Sequence, residues 1–159
     1  MKAAVLTVSD GVVAGTRKDE SGELLATLLA ADGYEVERRA VADAVDEIAD
    51  AVAALAAGAS LVLTTGGTGV APRDVTPEAT ASVIDRVAPG ISEAIRADAT
   101  LKTPHGLLSR GTAGVRGSTL VVNLPGSTGG CRDGYAVLRP ALEHALRLLS
   151  EEATAHVQT

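Results

Sequence analysis

The chain alternates short apolar runs with stretches where apolar residues recur every three or four positions, and that alternation predicts its elements. Ala3 to Val8 is a short apolar run, a strand, and Ser9-Asp10-Gly11 turns the chain after it. Gly11 to Glu20 is polar and reads as a loop. Leu24, Leu25, Leu28 and Leu29 repeat at helical spacing up to Gly33. Glu35 to Val41 predicts a second strand, and Val45, Ile48, Val52 and Leu55 a second helix stopped by Gly58. Leu61 to Leu63 begins a strand that ends at Thr65 in a glycine turn. Thr76-Pro77-Glu78 is a helix start, with Thr76 as N-cap, Pro77 behind it and Val83, Ile84 and Val87 continuing the helix.

Ile91 to Ala99 is helical in pattern, and Thr103 to Gly114 is a polar, glycine-bearing loop. Thr119 to Leu124 is the last strand. Leu138, Leu142, Leu146 and Leu149 form a final amphipathic stripe, with Pro140 near a helix start or at a kink, and the tail after Ser150 is expected to fray. Strands alternating with helices predict an α/β fold, a three-layer α/β/α sandwich around a mostly parallel sheet. No repeat, linker or composition break divides residues 1–159, so one domain is expected. In such a sheet ligands bind at the carboxyl ends of the strands, which puts the segments after Thr65 and Leu124 at the site. The segment after Val8 joins them if its strand is parallel.

Composition narrows the ligand. A hydrophobic fraction of 46% over 159 residues supports a packed core. There is no Phe or Trp, and Tyr34 and Tyr135 are the only aromatics. With a net charge of −6 and a pI near 5.0, base stacking and a basic nucleic-acid footprint are both disfavoured. An anionic ligand on an acidic chain calls for a bridging cation such as Mg²⁺, with Arg and backbone dipoles supplying the rest. Cys131 is the single cysteine, and with His105, His144 and His156 it has no zinc-ligand spacing. No signal-like or membrane-spanning run is present, so a soluble cytoplasmic protein with no membrane or nucleic-acid partner is expected.

Gly66-Gly67-Thr68-Gly69 is the strongest candidate for chemistry. Glycines at 66, 67 and 69 allow positive φ and expose backbone N–H groups, a seat for phosphate. The turn is not a P-loop, since no Lys-Ser/Thr pair follows, and not a dinucleotide fingerprint, since Pro72 stands at the third glycine position. Asp74 is a metal ligand or a turn carboxylate, and Asp43 a metal ligand or the N-cap of the helix at Val45. Two carboxylates at strand ends beside a phosphate turn suit Mg²⁺ in phosphoryl transfer. Ser9-Asp10 fits an Asx-turn or a ligand contact. Ser109-Arg110 offers a hydroxyl and a forked cation, and Arg73 and Arg116 are further candidate cations or surface residues. At Asn123-Leu124-Pro125-Gly126 the chain leaves a strand abruptly, and Gly126 permits close approach of a ligand.

Thr65-Gly66-Gly67-Thr68-Gly69, Arg73-Asp74-Val75-Thr76-Pro77-Glu78-Ala79 and Asn123-Leu124-Pro125-Gly126 together resemble the MogA/MoaB family of molybdenum-cofactor biosynthesis. Val8-Ser9-Asp10 and Leu108-Ser109-Arg110 fit the same pattern, and Ala113 to Leu120 is similar to the G domain of gephyrin. The resemblance covers nearly the whole chain in order. It implies a trimeric molybdopterin adenylyltransferase. In that reaction the terminal phosphate of molybdopterin attacks the α-phosphorus of ATP and diphosphate leaves. Carried across, Asp43 and Asp74 match essential aspartates and Mg²⁺ ligands, and Gly66, Gly67, Thr68 and Gly69 the nucleotide-phosphate contacts. Ser9, Asp10, Glu78, Ser109, Arg110, Asn123, Pro125 and Gly126 match molybdopterin-contacting positions. A molybdate-insertion protein is an implied partner. Pro125 to Arg132 is more similar to the MoaB branch, which raises the alternative of a non-catalytic molybdopterin carrier, whereas Arg73 to Glu78 is intact as in active members. Molybdate-insertion and CinA proteins share the fold but are usually longer chains.

Overall fold

The structure, a computed structural model, describes residues 1–155 and the side chains of 1–150. Strand β1 (Lys2–Val8) leads through α1 (Asp10–Val13) and α2 (Glu20–Ala31) to β2 (Glu35–Val41). Then come α3 (Val45–Ala56), β3 (Leu61–Thr65), α4 (Thr76–Ala81), β4 (Arg86–Val87) and α5 (Pro89–Lys102). A 3-10 helix (Pro104–Leu108), β5 (Ala113–Arg116), β6 (Thr119–Leu124) and α6 (Thr128–Ala155) complete it.

The six strands make one sheet in the order β2-β1-β3-β6-β5-β4. β2, β1, β3 and β6 run parallel, while at one edge β5 pairs antiparallel with β6 and β4 pairs antiparallel with β5. Side chains alternate between the two faces along each strand. Ala3, Val5, Leu61, Leu63, Val122 and Leu124 meet Leu25 and Leu29 of α2, Ile95 of α5 and Leu138, Leu142 and Leu146 of α6. Ala4, Leu6, Val8, Val62 and Val121 meet Ile48, Val52 and Leu55 of α3 and Ala79 of α4. Both faces of the central strands are therefore covered, which is why β1 and β3 read as continuous apolar runs. The expected α/β sandwich is present, with a sheet that is mixed at one edge.

Several local expectations are corrected. The predicted loop from Gly11 to Glu20 takes in most of α1, which starts at Asp10 and is capped by Ser9, whose Oγ accepts the Val12 N–H at 3.3 Å. α2 starts before its leucine stripe, because the Asp19 carboxylate accepts the Gly22 N–H at 3.0 Å. The helix at Thr76 does not reach Val87. It ends at Ala81, the Asp85 N–H donates to the Val115 carbonyl at 2.7 Å, and Arg86 and Val87 pair with β5. The predicted polar loop over 103–114 holds the 3-10 helix and the start of β5. Pro140 lies inside α6, not near its start. The tail expected to fray after Ser150 is helical to Ala155, and its remainder, His156 included, lies outside the described residues. Among the described residues no helix is long and apolar enough to cross a membrane.

Candidate functional site

β1, β3 and β6 are parallel neighbours, so the segments after Val8, Thr65 and Leu124 leave the same edge of the sheet. After β3 the chain turns at Gly66 (φ 98°) and Gly67 (φ 68°), in the left-handed region that favours glycine. A Cβ on Gly66 would run into the Val8 carbonyl oxygen, and one on Gly67 into Thr76 Oγ1. Gly69 does not take positive φ; a Cβ there would stand 2.8 Å from Asp74 Oδ2 and would push that carboxylate aside. Thr76, expected as an N-cap, is the first residue of α4 behind the cap Val75. Its Oγ1 donates to the Gly66 carbonyl at 2.9 Å and its N–H to the Gly67 carbonyl at 3.1 Å. The hydroxyl thus staples the glycine turn to the helix that follows.

The two carboxylates flank that turn. Asp43 is not a cap: Ala44 holds the N-cap position of α3, with no side-chain bond. Asp43 Oδ2 accepts the Asp10 N–H at 2.9 Å, and Oδ1 stands 3.4 Å from where a Cβ on Gly67 would lie. Asp74 Oδ2 accepts the Ala71 N–H at 3.0 Å, which folds the segment between Gly69 and Asp74 on itself.

Two cavities open on either side of the turn. The larger, about 780 Å³, has walls from Val70, Ala71, Ile95, Ala99, Leu108 and Pro125, with Ser109, Lys102 and His105 also lining it. The smaller, about 450 Å³, is lined by Ser9, Arg17, Lys18, Asp19, Ser21 and Asp43 among others. Gly67, Asp74, Gly126 and Ser127 belong to both. Gly126 packs against the turn, since a Cβ on it would stand 3.3 Å from Gly66 Cα. The Pro125 carbonyl accepts from Thr65 Oγ1 at 2.8 Å and from Cys131 Sγ at 3.0 Å, which fixes the exit of β6 against the end of β3. Burial pushes the Cys131 thiol up to about 11, so it acts as a neutral donor, not a nucleophile.

The candidate residues divide between these cavities or fall outside both. Thr68, Gly69, Ser109 and Pro125 line the larger one, and Ser9 and Gly66 the smaller. Asp10, Glu78, Arg110 and Asn123 line neither. The Arg110 guanidinium donates to the Gly69 carbonyl at 2.7 Å, to the Asp74 carbonyl at 2.6 Å and to the Glu78 carboxylate. Its own N–H donates to the Thr68 carbonyl at 2.7 Å. Arg110 therefore holds the segment from Thr68 to Asp74, and its charge keeps the Glu78 carboxyl below the ordinary range. Asn123 is buried: Nδ2 donates to Thr64 Oγ1 and Thr80 Oγ1, each at 2.9 Å, and Oδ1 accepts the Thr112 N–H at 3.1 Å. Arg116 lies on β5, bonded to the Val83 carbonyl.

Sequence reasoning overlooked Arg17, Lys18, Ser127 and Lys102. The Arg17-Lys18 pair was visible as two adjacent cations in the segment after β1. Lys102, set between Asp98 at 2.7 Å and Asp133 at 3.1 Å, had no sequence signal, because it depends on how α5 meets α6.

Residues 4–144 match the family model described as "Probable molybdopterin binding domain". The chain is 38% identical over 156 residues to the molybdenum cofactor biosynthesis bifunctional protein of Chlorobaculum tepidum, covering 97% of this chain and 50% of that one. It is 35% identical over 150 residues to the molybdopterin adenylyltransferase of Helicobacter pylori strain J99, covering 91% of this chain and 85% of that one. The chain spans half or less of the longer curated relatives it matches. Among solved structures, the molybdopterin biosynthesis enzyme MoaB of Thermus thermophilus superposes with a TM-score of 0.88 at 43% identity, over 94% of this chain and 96% of that one.

Proposed function

The chain belongs to this family of molybdopterin-binding domains of molybdenum-cofactor biosynthesis, and from that premise we propose that it adenylylates molybdopterin with ATP and releases diphosphate. One observation carries the reading: two cavities share a wall made of the glycine turn, Asp74, Gly126 and Ser127. A reaction that joins two bound molecules through phosphate needs such a wall, with the reacting groups meeting across it.

The larger cavity suits the pterin. Its aliphatic walls accept a flat bicycle, and Ser109, Asp98 and Asp133 supply polar groups for its edges. The smaller cavity suits the nucleotide, because Arg17 and Lys18 give positive charge for the diphosphate that leaves. The terminal phosphate oxygen of molybdopterin forms the new bond to the α-phosphorus, and the bond from that phosphorus to the β-phosphate oxygen breaks. The chain's own part is placement: Gly67 and Gly126 let both phosphates approach the backbone, and no protein nucleophile is required. Asp43 and Asp74 would hold Mg²⁺, which neutralises phosphate charge when bound. Among the described residues no three His, Cys, Asp or Glu side chains converge as a metal cage. Two carboxylates beside a phosphate seat fit a cation whose remaining ligands are water and substrate oxygens.

Residues 1–159 are read as one such domain, working in the cytoplasm where ATP is available. Trimer formation belongs to the same reading, and Leu101 and Leu107, 89% and 70% exposed, are apolar surface that self-association would cover. Hand-over to a molybdate-insertion protein would follow. The test mixes the protein with molybdopterin and MgATP and follows diphosphate and adenylyl-molybdopterin. Formation of both supports the proposal; tight molybdopterin binding with no turnover replaces it with the carrier.

A further inference from the structure

Resting on the adenylyltransferase reading, we propose that Asp10 and Arg73 form a positioning bridge that orients the Asp43 carboxylate and ties its segment to that of Asp74, without touching either substrate.

Asp10 commits its N–H and both carboxylate oxygens to this task. Its N–H donates to Asp43 Oδ2 at 2.9 Å, and its Oδ1 accepts the Asp43 N–H at 3.0 Å. This reciprocal pair fixes both the backbone and the carboxylate of Asp43. Asp10 Oδ2 accepts from Arg73 Nε at 2.7 Å, and Arg73 Nη2 reaches the Asp43 carbonyl at 3.4 Å. Arg73 is the residue before Asp74, so one guanidinium spans the two segments that carry the two carboxylates. Neither Asp10 nor Arg73 lines the two cavities, whereas Asp43 and Asp74 do.

The bridge also settles the local charge. The Asp10 and Asp43 carboxylates each accept the other residue's backbone N–H, which sets two like charges near one another beside the smaller cavity, and Arg73 offsets one of them. The same guanidinium keeps the Asp10 carboxyl below its ordinary range. Both side chains are largely in water, 67% exposed for Arg73 and 44% for Asp10. An ion pair so exposed contributes little to global stability. Its loss should therefore appear in the reaction and not in the melting temperature.

The experiment compares wild type, Arg73→Gln, Arg73→Lys and Asp43→Asn in turnover, in melting temperature, and in calorimetric titration with Mg²⁺ and a non-hydrolysable ATP analogue. Misplacing a carboxylate by a fraction of an ångström lowers kcat by about ten- to a hundredfold. That loss is expected in Arg73→Gln, with the molybdopterin KM within about twofold and melting within about 2 °C, as set by the small worth of an exposed pair. Arg73→Lys should fall between, keeping the charge but losing the fork. Because Arg73 acts chiefly through Asp43, adding Arg73→Gln to Asp43→Asn in a double variant should cost far less than Arg73→Gln costs alone. A full additional loss in the double variant, or a raised molybdopterin KM with kcat unchanged, overturns the bridge. An inactive wild type overturns the adenylyltransferase reading instead, and the titration still judges the bridge: equal MgATP-analogue affinity in wild type and Arg73→Gln overturns it.

Discussion

Truncating Asn123 to alanine should unfold the protein more readily and leave its affinity for molybdopterin nearly unchanged. The amide makes three hydrogen bonds, to Thr64 Oγ1, Thr80 Oγ1 and the Thr112 N–H, and the residue is 4% exposed. Each buried hydrogen bond is worth roughly 1 kcal/mol net, and a stranded backbone N–H costs about 1–3 kcal/mol. Two of the partners are hydroxyl oxygens that accept from the amide and keep their own O–H free to donate elsewhere, so the loss should be about 3–5 kcal/mol, not the sum of the extremes. Against a typical total of about 5–15 kcal/mol this is a large fraction. At roughly 2–4 °C per kcal/mol for a domain of this size, melting should fall by about 6–20 °C. The assay is thermal unfolding by circular dichroism, followed by molybdopterin titration well below the lowered transition. A melting temperature within about 2 °C of wild type, with affinity reduced tenfold or more, would refute the reasoning and return Asn123 to the ligand.

Gly67→Ala should lower turnover at least tenfold, because φ is 68° and the new methyl collides with the hydroxyl that staples the turn. Gly33→Ala, at φ 88° with open space around it and far from the site, is the control that should lose stability of about 1 kcal/mol while keeping turnover. Cys131 should resist a disulfide reagent at pH 8 in the folded protein and react fully in denaturant, since the thiol is buried and pushed up to about 11; rapid native labelling would contradict this. Asp32 and Glu78 are held below the ordinary 3.8 to 4.5 by Arg139 and Arg110 respectively. Lowered folded-state values give stability that is present above the unfolded values and lost as pH falls through the folded ones. Melting should hold steady from about pH 8 to pH 5 and drop below about pH 4. Arg139→Gln should narrow that drop, and an unchanged acid limb would remove Asp32 from the account.

The elements legible in the sequence were those whose pattern answers to one neighbour. β2 was read to both its ends and β3 to its end at Thr65, and the stripes of α2, α3 and α6 included the buried Leu25, Leu29, Ile48, Val52, Leu55, Leu138, Leu142, Leu146 and Leu149, although Leu24 and Leu28 are half-buried and Val45 is exposed. β4 and β5 were lost because their residues carry no alternation of their own. A two-residue strand exists only where β5 offers it a partner, and Val83 and Ile84 kept the helical spacing alive past the point where Asp85 turns to bond Val115. The caps failed for a related reason. Thr76 and Asp43 both have good N-cap chemistry, but each is claimed by a distant group, the Gly66 carbonyl and the Asp10 N–H. Such long-range claims leave no local trace.

The site was legible as a set of residues but not as a division of labour. Motif positions group Ser9, Asp10, Glu78, Ser109, Arg110 and Asn123 together, because all lie near the same glycine turn. Their bonds separate them. Ser109 and Ser9 line opposite cavities, while Arg110, Glu78, Asp10 and Asn123 are occupied with protein partners. For these side chains to meet a ligand, their bonds to the protein would have to be shared or broken. The specificity of the motif therefore reflects two demands at once. Under the proposed adenylylation some of its residues would face substrate, while others, Arg110 and Thr76 among them, hold the turn in place, as a reaction whose catalysis is chiefly positioning and charge neutralisation requires.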